Sequence, residues 1–383
     1  MTPTRVVRPA LLAVVVVLLA AGCAAGAPGV DDRPETPAAT PSPSPIADPG
    51  PVPRLAGACA DLVDVAALQA LVGTAAAPLA EVPPASRLDP LTAAPAQAGA
   101  TDCEWDNGVA AGWWEGSGAD RQWVRLRILP DATAEAAEYA AMYGADPTYG
   151  EHVHGPRCIL DAGYCEVQGA VGAAWVEFLV SGIRTAAADD AALLAQFRTV
   201  ADPLVDRVRA ASAAPAWTPS IATPVADCAA LAADEAVAAI TGLDGIRFGE
   251  NWDGPGVGLQ WTAADRTGAI GCAIAFPDRD AAFGHVFVLA GGAWGVERWR
   301  SDWLADGASV DVPGADPGAV LRCLDAAQAC RLDFSAAGDW VRVEFPPMPP
   351  ASATYLPDED YAAARASAPQ LAATIAAAIA TTG

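Results

Sequence analysis

Lysine is absent from this chain of 383 residues, and all 22 basic residues are arginine. That absence excludes a Schiff-base lysine and a phosphate-loop lysine from any chemistry here. Positive charge is scarce altogether, because 46 acids give a formal net charge of -24. A chain this acidic lacks the basic face that nucleic-acid binding needs. No Cys-x-x-Cys pair occurs and histidine appears three times, so the common zinc spacings are missing. Gly116-Ser117-Gly118 falls short of the longer Gly-x-Ser-x-Gly nucleophile elbow. No spacing singles out a nucleophile with its base, so no catalytic residue, metal site or cofactor is assigned.

The N-terminal residues speak to compartment. Arg5 and Arg8 precede an apolar run of 12 residues, 10–21, the length of a signal-peptide core and short for a membrane span. The run ends in Ala20-Ala21-Gly22-Cys23. Small residues before a single Cys resemble the lipobox of bacterial lipoproteins, although Leu19 stands one place further upstream than usual. The resemblance implies removal of residues 1–22, lipidation of Cys23, and a protein anchored on the extracytoplasmic face of the cell membrane by lipid alone. A plain secretory site with an incidental Cys is the competing reading. Residues 23–53 then form a tether, whose nine prolines and near absence of large apolar side chains leave nothing to fold around. As polyproline II it reaches at most roughly 90 Å.

The other eight cysteines are Cys59, Cys103, Cys158, Cys165, Cys228, Cys272, Cys323 and Cys330. Their steps are 44, 55 and 7 residues in the first four, and 44, 51 and 7 in the second. This reads as a tandem duplication. Trp175 lies ten residues after Cys165, and Trp340 ten after Cys330. Copy one covers 54–213, a Pro/Ala/Ser/Thr linker covers 214–224, and copy two covers 225–383. Both copies are acidic, with ten arginines against 21 acids in 54–213 and nine against 21 in 214–383. Two short apolar arms around Asp161-Ala162-Gly163 predict a hairpin that pairs Cys158 with Cys165. Cys323 and Cys330 repeat it, which leaves Cys59–Cys103 and Cys228–Cys272. On the chain-entropy argument, the longer loops contribute roughly 4 kcal/mol each and the shorter roughly 2.5.

Apolar spacing predicts helices over 61–72, 131–143 (with Asp131 as N-cap), 189–210, 228–240, 295–305 and 358–380. Period-two alternation predicts strands over 122–129 and 174–180, with others near 270–276, 284–290 and 340–345 and a hairpin over 319–334. The expected class is α+β: two tandem domains, each a mostly antiparallel sheet covered on one face by helices, with two disulfides per copy.

The lipobox, the proline tether, the Cys59 helix ending at Gly73 and Cys103-Glu-Trp105 together resemble actinobacterial cell-envelope lipoproteins of unknown function. More distantly they resemble the extracellular sensor domain of actinobacterial Ser/Thr kinases, which carries two disulfides. Copy two departs, with Cys272-Ala-Ile. The resemblance implies a binding or sensing role outside the membrane and carries over no catalytic residue.

Candidate binding residues follow from alternation. Val124, Leu126 and Ile128 share one face of their strand, and Val176, Phe178 and Val180 share one face of theirs. The opposite face carries Trp123, Arg125, Arg127, Trp175 and Glu177. On a helix-free sheet they would offer a platform for an anionic or sugar-like ligand. A cross-strand ladder that only stabilises the sheet uses the same residues. Trp113 and Trp114 suggest a partner-binding loop tip or a tucked hairpin. Trp299 and Trp303, at i and i+4, suggest core. His152 and His154, with Glu151, suggest a polar strand edge rather than a metal site. The sequence thus points to a non-enzymatic lipoprotein binding an envelope component or protein. A wall-acting hydrolase with paired carboxylates and a structural spacer are the alternatives.

Overall fold

The computed structural model describes residues 50–73, 77–82, 89–109, 120–218, 224–250, 258–275, 282–324, 329–345, 362 and 366–382. Cys23, Trp113 and Trp114 lie outside the described residues. The first half holds helices α1 (Cys59–Leu62), α2 (Val65–Val72), α3 (Pro90–Gln97), α4 (Thr133–Tyr143) and α5 (Asp190–Ala210). Its strands are β1 (Ala80–Glu81), β2 (Thr101–Asp106), β3 (Trp123–Pro130), β4 (Val153–Ile159), β5 (Tyr164–Val171) and β6 (Ala174–Ser181). They form one sheet in the order β1-β2-β3-β6-β5-β4, with every neighbouring pair antiparallel.

The second half holds α6 (Asp234–Thr241), α7 (Leu259–Thr267), α8 (Ala293–Trp303) and α9 (Ala368–Thr382). Its strands are β7 (Arg247–Glu250), β8 (Ala269–Ala275), β9 (Ala282–Leu289), β10 (Ala308–Val310), β11 (Ala319–Leu324), β12 (Ala329–Ala336) and β13 (Asp339–Phe345). This sheet runs β10-β11-β12-β13-β9-β8-β7, again antiparallel throughout. The class is mixed α and β with two antiparallel sheets and four disulfides. The bonds join Cys59–Cys103, Cys158–Cys165, Cys228–Cys272 and Cys323–Cys330. The two short bridges link residues directly opposite each other on paired strands.

Alternation decides the inner faces. Val124, Leu126 and Ile128 of β3 and Val176, Phe178 and Val180 of β6 are buried under α2 and α5. Phe178 stacks on Phe197 of α5 with ring centroids 5.5 Å apart. Asp189 starts α5 by accepting from the Ala192 N–H at 2.8 Å, a side-chain cap. In the second half Val341, Val343, Leu332 and Phe334 meet Leu371, Ile375 and Ile379 of α9. Helix boundaries depart from the sequence expectation where polar groups intervene. The expected helix over 61–72 is broken, because Asp64 accepts from the Ala66 N–H at 2.9 Å and caps α2 afresh.

The expectation of helices on one face only is corrected. A third core fills the space between the two sheets. It unites Leu129 and Trp175 from the first sheet, Leu289 and Trp340 from the second, and the small or aromatic faces of α3, α4, α7 and α8. Trp299 lies 5.5 Å from Trp340, and Trp303 lies 5.6 Å from it, so both belong to that core. Alanine-rich α3 and α7 pack against each other, and each crosses to the other half. Helix α3 leads into β2 of the first sheet but packs on β8, β9 and β13 of the second. Helix α7 leads into β8, packs on it, and also packs on β3 and β6 of the first. The described residues accordingly fall in one compact unit.

Candidate functional site

The strand pairing brings the candidate residues of the first sheet together. Arg127 stands directly opposite Glu177, and Leu129 opposite Trp175. Across the sheet, Glu104 pairs with Arg125 and Asp102 with Arg127, so opposite charges alternate. Arg125 Nε lies 3.1 Å from Glu177 Oε1. The Arg125 guanidinium also sits 4.9 Å from the Trp123 ring centroid, and Arg121 5.9 Å from it, while the Trp123 indole N–H donates to Glu104.

This face is not open. Arg127 is 5% exposed, Glu177 7% and Trp175 1%. Arg127 donates to Asp102 Oδ2 at 3.3 Å and, across the two halves, to Gln260 Oε1 of α7 at 3.0 Å. Burial opposes the Arg127 charge, yet Asp102 and Glu177 more than offset it and raise its pKa above the ordinary guanidinium value. Trp175 lies 5.5 Å from Tyr139 of α4 and joins the shared core. The helix-free platform expected from alternation is therefore corrected. α4 and α7 cover it, and only its Trp123–Arg125 end reaches the surface.

Beside it, β4 and β5 hold a second polar group. Glu166, nearly buried, accepts from the Tyr164 hydroxyl at 2.7 Å, from Gln168 Nε2 at 3.0 Å and from Arg157. Burial raises its pKa, but Tyr164, Arg157 and Gln168 reverse that and hold it below the usual carboxylate range. His154 Nδ1 is 2.8 Å from the Gly144 carbonyl and its Nε2 is 3.5 Å from Glu166. His152 Nε2 lies 3.6 Å from exposed Glu151. Among the described residues no group of three or more His, Cys, Asp or Glu side chains could hold a metal ion.

The second sheet carries a different network at the matching place. Asp333, fully buried, accepts from Arg342 Nε at 2.8 Å, from Trp340 Nε1 at 3.0 Å and from Arg322 Nη2 at 3.2 Å. Phe287 occupies the position opposite Arg342, where the first sheet has Arg127 opposite Glu177.

A cavity of about 320 Å³ opens where α3 and α7 end. Arg54, Gln97, Trp217, Thr218, Arg266 and Thr267 are among its lining residues. Gln97 Nε2 donates to the Ala290 carbonyl at 2.6 Å, and its Oε1 accepts from Trp294 Nε1 at 2.8 Å. Arg266 mirrors it, donating to the carbonyls of Pro130 at 3.3 Å and Asp131 at 2.7 Å, and to Glu135 at 2.5 Å. Arg54 Nε donates to the Ala214 carbonyl at 2.6 Å, and its Nη2 to Asp131 Oδ2 at 2.6 Å. Gly99, at φ +79, leaves room for the Arg54 stem; a Cβ there would stand 2.5 Å from Arg54 Cδ. Asp131 was expected to cap α4. Instead it takes a left-handed turn at φ 57, which Asp tolerates better than most residues, and gives its carboxylate to Arg54. The N-cap of α4 is Ala132, without a side-chain bond.

None of the cavity residues was singled out from sequence, because they come from four separate segments. One signal was present: Gln97 stands six residues before Cys103 and Arg266 six before Cys272. Guanidinium, amide, hydroxyl and indole groups can hold and orient a molecule, but they supply no activated nucleophile. Comparison with protein-family models, with curated proteins and with solved structures finds no match for this chain. No helix of the described residues is long and apolar enough to cross a membrane.

Proposed function

We propose that this chain is a lipid-anchored, extracytoplasmic binding protein made of two tandem copies of one α+β domain, two disulfides to each. The copies are supported by more than the cysteine steps. Both sheets follow one strand order, apart from the added β10. Trp175 pairs with Leu129 as Trp340 pairs with Leu289. Gln97 reaches the carbonyl after Leu289, and its counterpart Arg266 reaches the carbonyl after Leu129. The resemblance to actinobacterial envelope lipoproteins fits Cys23, the tether and an address at the outer face of the membrane.

The observation that carries binding is the cavity at the junction of the copies. Its volume, about 320 Å³, falls at the small end of the range for ligand pockets, ~300–1,000 Å³. A spacer has no use for such a cavity. The hydrolase reading is weakened by the carboxylates of the first sheet. Glu166 is held below the usual carboxylate range and Glu177 faces arginines. The acids with raised pKa, Asp89 and Asp339, are engaged by the backbone N–H groups of Leu91, Thr92 and Gly291 rather than paired across a cleft as a glycosidase requires.

Native mass spectrometry of the full chain, incubated with the small-molecule fraction of an envelope extract, tests this. Thr218, exposed at the rim, is replaced by Trp to fill the cavity. A bound mass on the wild type that is missing from Thr218→Trp is the expected result. A mass that persists in the variant moves the site elsewhere, and no bound mass at all removes the binding reading.

A further inference from the structure

The chemistry of the cavity walls narrows the ligand, on the reading that the cavity is the binding site. Both cations of the lining already face acids: Arg54 meets Asp131 at 2.6 Å and Arg266 meets Glu135 at 2.5 Å. Helices α3 and α7 both end here, and their carbonyl ends add partial negative charge. An anion entering the cavity would find guanidiniums whose charge is spent, beside two carboxylates and two helix C-termini. A cation would meet two guanidiniums at close range. Neutral polar groups avoid both penalties.

Donors and acceptors remain for such groups. Arg54 uses Nε and Nη2 on the protein, and its Nη1 makes no hydrogen bond among the described residues. The Thr218 side chain is exposed at the rim. Trp217 supplies a flat apolar wall, half-buried and packed against the shared core. A ring with C–H groups on one face and hydroxyls around its edge meets all three: the face lies on the indole, and the hydroxyls accept from Arg54 and bond with Thr218.

We propose that this cavity binds a neutral, hydroxyl-rich ring, a saccharide unit. The volume suits one or two such rings. The same unit could come as a free sugar or at the end of a glycan, and the probes separate these sources.

Saturation-transfer NMR on the full, disulfide-intact chain uses glucose, N-acetylglucosamine and methyl glucoside, the last standing for a glycan end. Glucuronate and glucosamine serve as anionic and cationic counterparts. The expected result is transfer to the ring C–H protons of a neutral probe, with at least tenfold weaker binding of both charged ones. Free sugars binding better than the glycoside indicates a soluble ligand, and the reverse a glycan end. Trp217→Ala and Thr218→Trp should each lose the signal. Thr218→Trp should do so with an unchanged melting temperature, which separates loss of the site from loss of fold. Glucuronate or glucosamine binding as well as the neutral probes overturns the ligand class while leaving the cavity as a site. Equal signal in wild type and a folded Thr218→Trp overturns the cavity reading itself, and with it this inference. No transfer to any neutral probe, when the native-mass experiment does find a cavity ligand, also overturns the class.

Discussion

Arg127→Ala should cost far more stability than Arg125→Ala, although the two arginines share one strand face. Arg127 is 5% exposed and serves Asp102 at 3.3 Å and Gln260 at 3.0 Å, opposite a Glu177 that is 7% exposed. Its removal leaves Glu177 and Asp102 with one cation fewer in a site that water barely reaches. Breaking a buried pair on one side costs about 3–5 kcal/mol, and the lost bond to the Gln260 amide adds about 1. Arg125 keeps 22% of its side chain exposed, so its pair with Glu177 is partly screened, although the facing Nε and Oε1 atoms are buried. Its loss should cost about 1 kcal/mol, with up to about 1 more for the contact with Trp123.

Urea unfolding followed by far-ultraviolet circular dichroism, with disulfides intact, measures both variants against wild type. Arg127→Met serves as a third variant that keeps the apolar stem and drops the charge. It should recover only a minor part of the loss. Added salt should shrink the Arg125 effect and leave the Arg127 effect nearly unchanged, since screening acts on exposed charges. Equal losses for the two alanine variants, or less than about 1 kcal/mol for Arg127→Ala, would refute the argument that the face is a buried seam.

Three further outcomes are expected. Asp333→Ala takes the hydrogen-bonded carboxylate from the buried Arg342 guanidinium and should lower stability by about 3 kcal/mol, read from the same urea curves. Asp339 lies buried on the Gly291 N–H, and burial pushes its pKa from 3.8 up to about 6. A raised acid pKa stabilises the fold most below the unfolded value and loses that contribution as pH rises through about 6. Wild type should therefore lose on the order of 3 kcal/mol relative to Asp339→Asn between about pH 4 and 7, and parallel stability curves for the two would contradict the assignment. Cys23→Ser should abolish incorporation of a palmitate analogue and either release the protein into the medium or leave it unprocessed. Equal labelling of wild type and variant would remove the lipoprotein reading.

Much of this architecture is legible locally. Alternation over Trp123–Pro130 separates Val124, Leu126 and Ile128 from Arg125 and Arg127, and the fold keeps that separation. The cysteine steps lead to the four bonds that form. What alternation cannot say is which neighbour covers the second face. Arg127 and Trp175 would show the same pattern whether they met water or another helix. The two helices that cross between the sheets, α3 and α7, were the hardest to read. Helix α3 carries Pro90 and Pro95, which argue against a helix in sequence. Pro90, however, sits at the first helical position behind the cap Asp89, where no N–H is needed. Helix α7 has nine residues between two glycines and a weak apolar stripe, because its buried side is made of Leu259, Ala263 and Ala264. Small residues give little periodic signal, yet they allow two helices to approach closely.

That close approach accounts for the arrangement of the whole. A helix that covers a second sheet besides its own loses part of its packing when that sheet is missing. Without α7, the first sheet would lose the Gln260 partner of Arg127 and part of the cover over Leu129 and Trp175, which α4 shares. Without α3, the second would lose part of the cover over Leu289, while Trp299 and Trp303 of α8 would still pack on Trp340. The exchange makes each half the lid of the other, and it sets the C-terminal ends of both helices side by side. Gln97 and Arg266 hold equivalent places there and reach equivalent carbonyls, but one is neutral and the other charged. A cavity near such an exchange would be symmetric if the halves were identical. The difference between Gln97 and Arg266, with Arg54 and Trp217 coming from segments that flank the first half, makes it one-sided. A one-sided site can orient a ligand that has no symmetry of its own.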